Sequence, residues 1–460
     1  MAEGIENIGK RDVVWSYAAT IFTVGAGVIL LPFILHQMSA QTVGIWNIFQ
    51  TITSLVILLD FGFRPSFARN ISYIFSGVHT LQKEGVEFVN TDSRVDYALL
   101  NAALTAMRRF YRWMAVAVFL LLAIIGTAYF LFILRKYNGD STDALVAWIL
   151  LVTINCYNLY TFYYDALLTG KGYVKRTQQI TILGQSIYLI FAIILIYAGF
   201  GLSAIVSAQL LSIVIRRIIA KRVFFTPELK QQLDQAGQGD SKSVMQAITP
   251  NAVKVGLTHL GGFCVNKSAV LIGSAYLSLE AIASYGVTMQ VMAILSHCAV
   301  VLYTVYTPRF AQCRAEKNLH QLRQYYTWST ASLILIFLIG GIAWITLGDW
   351  ALSLIDSKTG FIPARMLLVA LLIGFLEQNH VIAAGFIMAD NRIPFFIPSL
   401  LSGAATILLL WVFLQLVPQW GIPLPEQWGI WSLILAPGIA QLAYQNWRWP
   451  SLVIRELKNA

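Results

Sequence analysis

Twelve stretches of about 20 predominantly apolar residues, strung along a chain of 460, constrain this protein more than any other feature of its sequence. They are Val13–Leu35, Gly44–Phe63, Met107–Leu134, Ala144–Thr169, Ile180–Ala198 and Leu202–Ile219, then Asn251–Tyr276, Ala281–Tyr306, Tyr325–Leu347, Ile362–Ala389, Pro394–Leu416 and Trp428–Tyr444. As α-helices, such stretches cross a bilayer core of about 30 Å with their backbone groups paired internally. Only 12% of the residues are charged and 57% are hydrophobic. A soluble domain is about 25% charged, so this chain has too little charge to coat a surface facing water. The fold class that follows is all-α integral membrane protein, with about twelve transmembrane helices arranged as six plus six.

The positions of Lys and Arg test that map. With the N-terminus placed in the cytoplasm and the sides alternating, the cytoplasmic loops and helix ends hold 27 of the 32. The opposite side holds Arg135, Lys136, Lys358 and Arg365, and Lys267 lies inside a helix. This is the bias of the positive-inside rule. It predicts a multi-pass protein of the cytoplasmic (inner) membrane with both termini cytoplasmic. The formal charge of +10 is therefore mostly topology, and nucleic acid is not an expected partner. Thirteen Trp and 20 Tyr suit helix anchors at the membrane surfaces. Val13–Leu35 is long enough to span and is not followed by a small-residue cleavage site, so it reads as a helix and not a cleavable signal. The four cysteines show no C-x-x-C pair and the six histidines no H-x-x-x-H pair, so neither a metal site nor a cofactor is expected.

Two segments on the predicted cytoplasmic side are long. One covers residues 64–106, and the stretch from Val78 to Arg109, which runs just past it, mixes apolar residues with Lys83, Glu84, Glu87, Asp92, Arg94 and Asp96. It reads as an amphipathic helix on the membrane surface, or else as a docking site for a cytoplasmic partner. Residues 223–249, polar and Gly-containing around Gln231–Ser243, read as a flexible linker between two halves, 1–222 and 250–460. The halves resemble each other. Gly44 opens one helix and Pro65-Ser66-Phe67-Ala68 follows at its inner exit. Gly286 and Pro308-Arg309-Phe310-Ala311 repeat the order, with each P-x-F-A read as a turn at the mouth. Gly199-Phe200-Gly201-Leu202-Ser203-Ala204 is matched by Gln427-Trp428-Gly429-Ile430-Trp431-Ser432. Six helices per half is an even number, so the repeats are parallel. In transporters, parallel halves flank a central site and rock about it.

Four motifs give the chain a family likeness. After Pro32 come Met38-Ser39-Ala40-Gln41-Thr42-Val43-Gly44-Ile45-Trp46. Leu58-Leu59-Asp60-Phe61-Gly62-Phe63 is followed by Arg69. Leu168-Thr169-Gly170-Lys171-Gly172 follows the fourth helix, and a Gly motif precedes the sixth. Together they resemble the oligosaccharide and polysaccharide (O-antigen type) flippases of the multidrug/oligosaccharidyl-lipid/polysaccharide exporter superfamily. The resemblance implies a V-shaped pair of six-helix bundles. It also implies transport, without enzymatic chemistry, of a polyprenyl-diphosphate-linked oligosaccharide by alternating access, driven by a proton or sodium gradient. Surface-polysaccharide or lipopolysaccharide assembly proteins would be its partners, beside the membrane lipids. Murein lipid flippases usually carry two further helices, which disfavours a peptidoglycan precursor as cargo.

Polar groups at membrane depth are costly unless they face a cavity or a partner. Lys267 stands out, with His259 and Asn266 on the same broad face. Its charge either binds a lipid diphosphate, or pairs with a carboxylate or snorkels outward. Glu377 and His380 are three apart on one helix face. They read either as a proton-loading pair or as a fixed hydrogen-bond network. Gln290, His297 and Thr304 form one stripe and Asn158 and Asp165 another, suited to a hydrated wall that binds sugar hydroxyls, with Asp165 also an ion-coupling candidate. Asp60 and Arg64, four apart, read as a local ion pair or as a gate, with Arg69 at its mouth. The competing functions are a multidrug or toxic-compound cation antiporter of the same superfamily, which an acidic cavity would favour, and a membrane polysaccharide polymerase. The short outer loops disfavour the polymerase.

Overall fold

Side chains that a soluble protein would hide face outward along these helices: Ile21 is 72% exposed, Ile124 66% and Leu401 64%. With lipid as solvent this arrangement carries no penalty. The computed structural model describes residues 10–81, 95–237, 239–315, 318–388, 394–421 and 423–458, and among these every regular element is a helix. In chain order they are α1 (Lys10–Gln37), α2 (Ala40–Leu58), α3 (Phe63–Phe75), α4 (Tyr97–Leu121), α5 (Thr127–Leu134), α6 (Ser141–Tyr160), α7 (Tyr163–Gly170), α8 (Val174–Tyr197) and α9 (Leu202–Phe224). There follow α10 (Pro227–Gln235), α11 (Ser241–Asn266), α12 (Ser268–Tyr276), α13 (Leu279–Ala315), α14 (Leu319–Leu354), α15 (Ala364–Met388), α16 (Phe396–Trp411), α17 (Trp428–Leu442) and α18 (Gln445–Lys458). A π-turn over Leu122–Gly126 joins α4 to α5.

Among the described residues, ten helices are long and apolar enough to cross a membrane. The two further spans expected from sequence are present as helix but interrupted or short. The seventh is split into α11 and α12 at Lys267, and the twelfth, α17, has 15 residues. The protein is thus an all-α, multi-pass membrane protein.

The chain packs as two compact units, Met1–Ile34 with Ile52–His259, and Leu35–Thr51 with Leu260–Ala460. In the first, α3 packs on α7, α4 on α6, α6 on α9 and α8 on α9. In the second, α13 packs on α15, α14 on α15, α15 on α17 and α16 on α17. Counted as spans within each half, these are the same partners, so the repeat seen in sequence recurs in packing. Phe67 and Phe310, the aromatic residues of the two P-x-F-A motifs, are each fully buried. Both motifs lie within helices, α3 and α13, and not in turns as expected. Pro65, third residue of α3, costs no hydrogen bond there because the first turn has no partner for its N–H.

The glycine motif before the sixth span has a mechanical explanation. The Asp143 carboxylate, near the start of α6, accepts the Leu202 and Ser203 backbone N–H groups at 2.6 and 3.2 Å and the Ser203 hydroxyl, capping α9 from another helix. A Cβ on Gly201 would sit 2.6 Å from Asp143 Oδ2, so only glycine leaves room for that cap. In the second unit a Cβ on Gly44 would lie 2.3 Å from the Leu279 carbonyl oxygen, where α2 crosses the start of α13.

Two sequence expectations change. The stretch Val78–Arg109 is not one surface helix. Residues 82–94 lie outside the described residues, and Tyr97–Arg109 forms the first turns of α4, capped by Asp96, which accepts the Leu99 N–H at 2.9 Å. Leu100, Ala103, Leu104 and Met107 make this part a packing face, which explains the mixed pattern. Residues 223–249 are largely helical. Thr226 caps α10, and Leu229 and Leu233 are buried where α10 meets α4. The polar composition reflects the exposed side of a docked helix.

Candidate functional site

Three of the predicted spans are broken, and each break adjoins charged residues. In the first unit, α2 ends at Leu58 and α3 begins at Phe63. Phe61 and Gly62 have φ of 47° and 71° in between, a conformation costly for Phe. Asp60 sits in this break. Its Oδ2 accepts the Arg64 backbone N–H at the start of α3 at 3.0 Å, and its Oδ1 accepts the Tyr111 hydroxyl of α4 at 2.6 Å. The expected Asp60–Arg64 pairing is therefore made by backbone and not by guanidinium, which lies over the Phe162 ring at 5.2 Å.

Phe162 is itself in the second break, between α6 and α7. On either side of it, Asn158 and Asp165 converge on Arg217 of α9. Arg217 Nη1 donates to Asp165 Oδ1 at 2.6 Å and Nη2 to Asn158 Oδ1 at 2.9 Å. Arg217 is 5% exposed and Asp165 23%, and the guanidinium also lies 5.7 Å from the Phe162 ring. Arg216 runs across Gly184 of α8, where a Cβ would lie 2.2 Å from its Cδ. Arg64, Arg216 and Arg217 all lie near enough to Asp165 to act on its charge. The cluster thus holds three guanidinium groups against two carboxylates, Asp60 and Asp165.

The third break is in the second unit. α11 ends at Asn266, and Lys267, with φ −127° and ψ −21°, interrupts the helix before α12. An interruption at membrane depth frees backbone groups and turns side chains toward a cavity, a recurrent device in transporters. The Asn266 side-chain amide donates to the Glu377 carboxylate of α15, and Lys267 is the cation acting on the same carboxylate. Asn266 and Glu377, but not Lys267, border a cavity of about 70 Å³, also lined by Tyr285, Met289, Gln441 and Asn446. That volume admits a few waters or one largely dehydrated ion, but not a sugar. His380 has a hydrogen-bond partner on another helix. Its Nδ1 meets Asn446 Oδ1 of α18 at 2.9 Å.

The remaining candidates lie apart from these clusters. Gln290 donates to Asn47 Oδ1 at 2.7 Å. His297 is exposed, with its Nδ1 2.6 Å from the Ala293 carbonyl oxygen. His259 and Arg69 are exposed on α11 and α3. Arg216, Arg217, Tyr111, Asn446 and Asn47 were not singled out from sequence. Two adjacent arginines inside the apolar stretch Leu202–Ile219 were the available signal for the first two, but counting them with the cytoplasmic loop concealed it.

No protein-family model and no curated protein sequence matches the chain. Among solved structures the fold has clear counterparts. An inward-facing multidrug resistance MATE family transporter of the MOP superfamily superposes with a TM-score of 0.63 at 14% identity, over 96% of each chain. The lipid II flippase MurJ in an inward closed conformation gives 0.61 at 13% identity, over 96% of this chain and 87% of its own. A MATE in a bent conformation gives 0.52 at 13% identity, over 98% of this chain and 99% of its own.

Proposed function

We propose that this protein is a flippase that moves a polyprenyl-diphosphate-linked oligosaccharide across the cytoplasmic membrane for surface polysaccharide synthesis, by alternating access coupled to an ion gradient. The observation that carries this reading is the charge balance of the first unit, where Arg64, Arg216 and Arg217 outnumber Asp60 and Asp165. An exporter of organic cations needs an unneutralised carboxylate to attract its cargo. Here Asp165 is taken by Arg217 and Asp60 by Tyr111 and the Arg64 backbone, while positive charge is left over. Surplus guanidinium in a low-dielectric site suits a diphosphate. Lys267 adds a further cation in the second unit, and the ion-sized cavity at Glu377 suits the coupling ion. MurJ, whose fold this chain resembles, is a lipid II flippase.

The test is flipping of a lipid-diphosphate-linked oligosaccharide by purified protein in liposomes. Lys267→Arg is expected to keep most of the activity and Lys267→Gln to lose most of it at equal abundance. Equal activity of the two variants would remove Lys267 from the mechanism. Efflux of a cationic dye by wild type, without flipping, would favour the antiporter.

A further inference from the structure

Beside the polar clusters, the first unit carries a groove that neither of them uses. It is open, has a volume of about 420 Å³, and runs between α4 and the first turns of α11. Its walls are mostly apolar, with Phe110, Trp113, Met114 and Met245 beside the polar Ser241 and Gln246. Two cations, Arg109 and Lys242, stand at one end. The depth of that end follows from helix geometry. The apolar part of α4 and α5 ends at Leu134, before Arg135 and Lys136. At 1.5 Å per residue Trp113 lies about 32 Å back along the helix, one hydrocarbon thickness. Trp113 is 67% exposed, as an interfacial anchor should be. Arg109 is one turn further, at the level of lipid phosphates. Among the described residues no ion pair is made by either cation. Arg108 is turned to the Phe225 ring at 5.5 Å. Asp240, the nearby carboxylate, accepts the Lys242 backbone N–H at 2.9 Å at the start of α11. Arg112 heads a second apolar groove of about 340 Å³ on the other side of α4, with Tyr157 and Tyr160.

We propose that the groove between α4 and α11 binds an anionic glycerophospholipid, with its phosphate on Arg109 and Lys242 and an acyl chain along Phe110, Trp113, Met114 and Met245. Cations at phosphate depth above an apolar trough match the two parts of such a lipid, and the charge selects anionic over zwitterionic headgroups. A basic residue at an anionic surface strengthens binding about fivefold, so two should give about 30-fold.

The experiment is native mass spectrometry of the full chain extracted from vesicles of equal phosphatidylglycerol and phosphatidylcholine, read as bound lipid across a titration. Wild type should retain phosphatidylglycerol over phosphatidylcholine. The double variant Arg109→Gln/Lys242→Gln should weaken phosphatidylglycerol binding about 30-fold. The charge-keeping variant Arg109→Lys/Lys242→Arg and the opposite-end variant Arg135→Gln/Lys136→Gln should retain it. Failure of wild type to prefer phosphatidylglycerol would overturn the proposal. So would a double Gln variant within twofold of wild type, which would leave the groove to a zwitterionic lipid or a protein partner.

Discussion

The Arg217–Asp165 pair offers the sharpest energetic test of the first unit. At an N–O distance of 2.6 Å and an effective dielectric constant of about 20, the direct attraction is roughly 6 kcal/mol. Most of it is offset by the cost of taking both charges from water, so the intact pair adds little net stability. Removing one partner is a different matter. Asp165→Asn leaves the Arg217 guanidinium, 5% exposed, with only neutral oxygens. Such a break costs about 3–5 kcal/mol, and because Asp165 is 23% exposed and partly screened, the lower end is expected, about 3 kcal/mol. Arg217→Gln should cost about as much, while the double variant should recover part of the loss, giving a coupling energy of about 2 kcal/mol. The assay is a double-mutant cycle of unfolding in lipid nanodiscs, with Asn158→Ala as a neutral neighbour expected to cost about 1 kcal/mol for its hydrogen bond to Arg217. Additive single effects, or an Asp165→Asn protein as stable as wild type, would refute the view that this pair is desolvated and mutually dependent.

Two further outcomes follow from the second unit and from the charge map. Glu377→Gln, a fixed mimic of the protonated acid, should abolish the response of flipping to an imposed proton gradient while leaving binding of the lipid-linked sugar intact. A variant that responds like wild type would mark Glu377 as structural only. Cysteines at Gln41, Asp140 and Pro423 should react with an impermeant thiol reagent added to intact cells and one at Gly239 should not, and labelling at Gly239 would reverse the proposed orientation.

The helices were legible in the sequence because bilayer thickness fixes their length and composition, and the unit-by-unit repeat because its glycines are required by contacts such as that of Gly201 with Asp143. The breaks were harder to read. Pro32, Pro250 and Pro437 each lie inside a continuous helix, whereas the breaks at Thr161–Phe162 and at Lys267 contain neither Gly nor Pro. Those breaks adjoin polar side chains with partners far along the chain, so local propensity gives no sign of them. For the same reason the Asp165–Arg217 pair, separated by 52 residues, escaped a reading based on spacing. Spacing gives the shared face of Glu377 and His380 but not their partners. The packing of α18 against α15 brings Asn446 to His380, while Asn266 and Lys267 attend Glu377.

The docked helix α10 has a consequence for how a duplicated chain can be divided. A tether of polar residues could be cut anywhere without loss, but here Leu229 and Leu233 bind the connection to the first copy as far as Gln235. A cut before Pro227 would strand an amphipathic peptide on the second fragment and bare its seat on α4. A cut between Ala236 and Asp240 keeps it seated. Two polypeptides divided there should reassemble when co-expressed, whereas fragments divided ten residues earlier should be cleared by proteases. The connection therefore belongs, through α10, to the first unit.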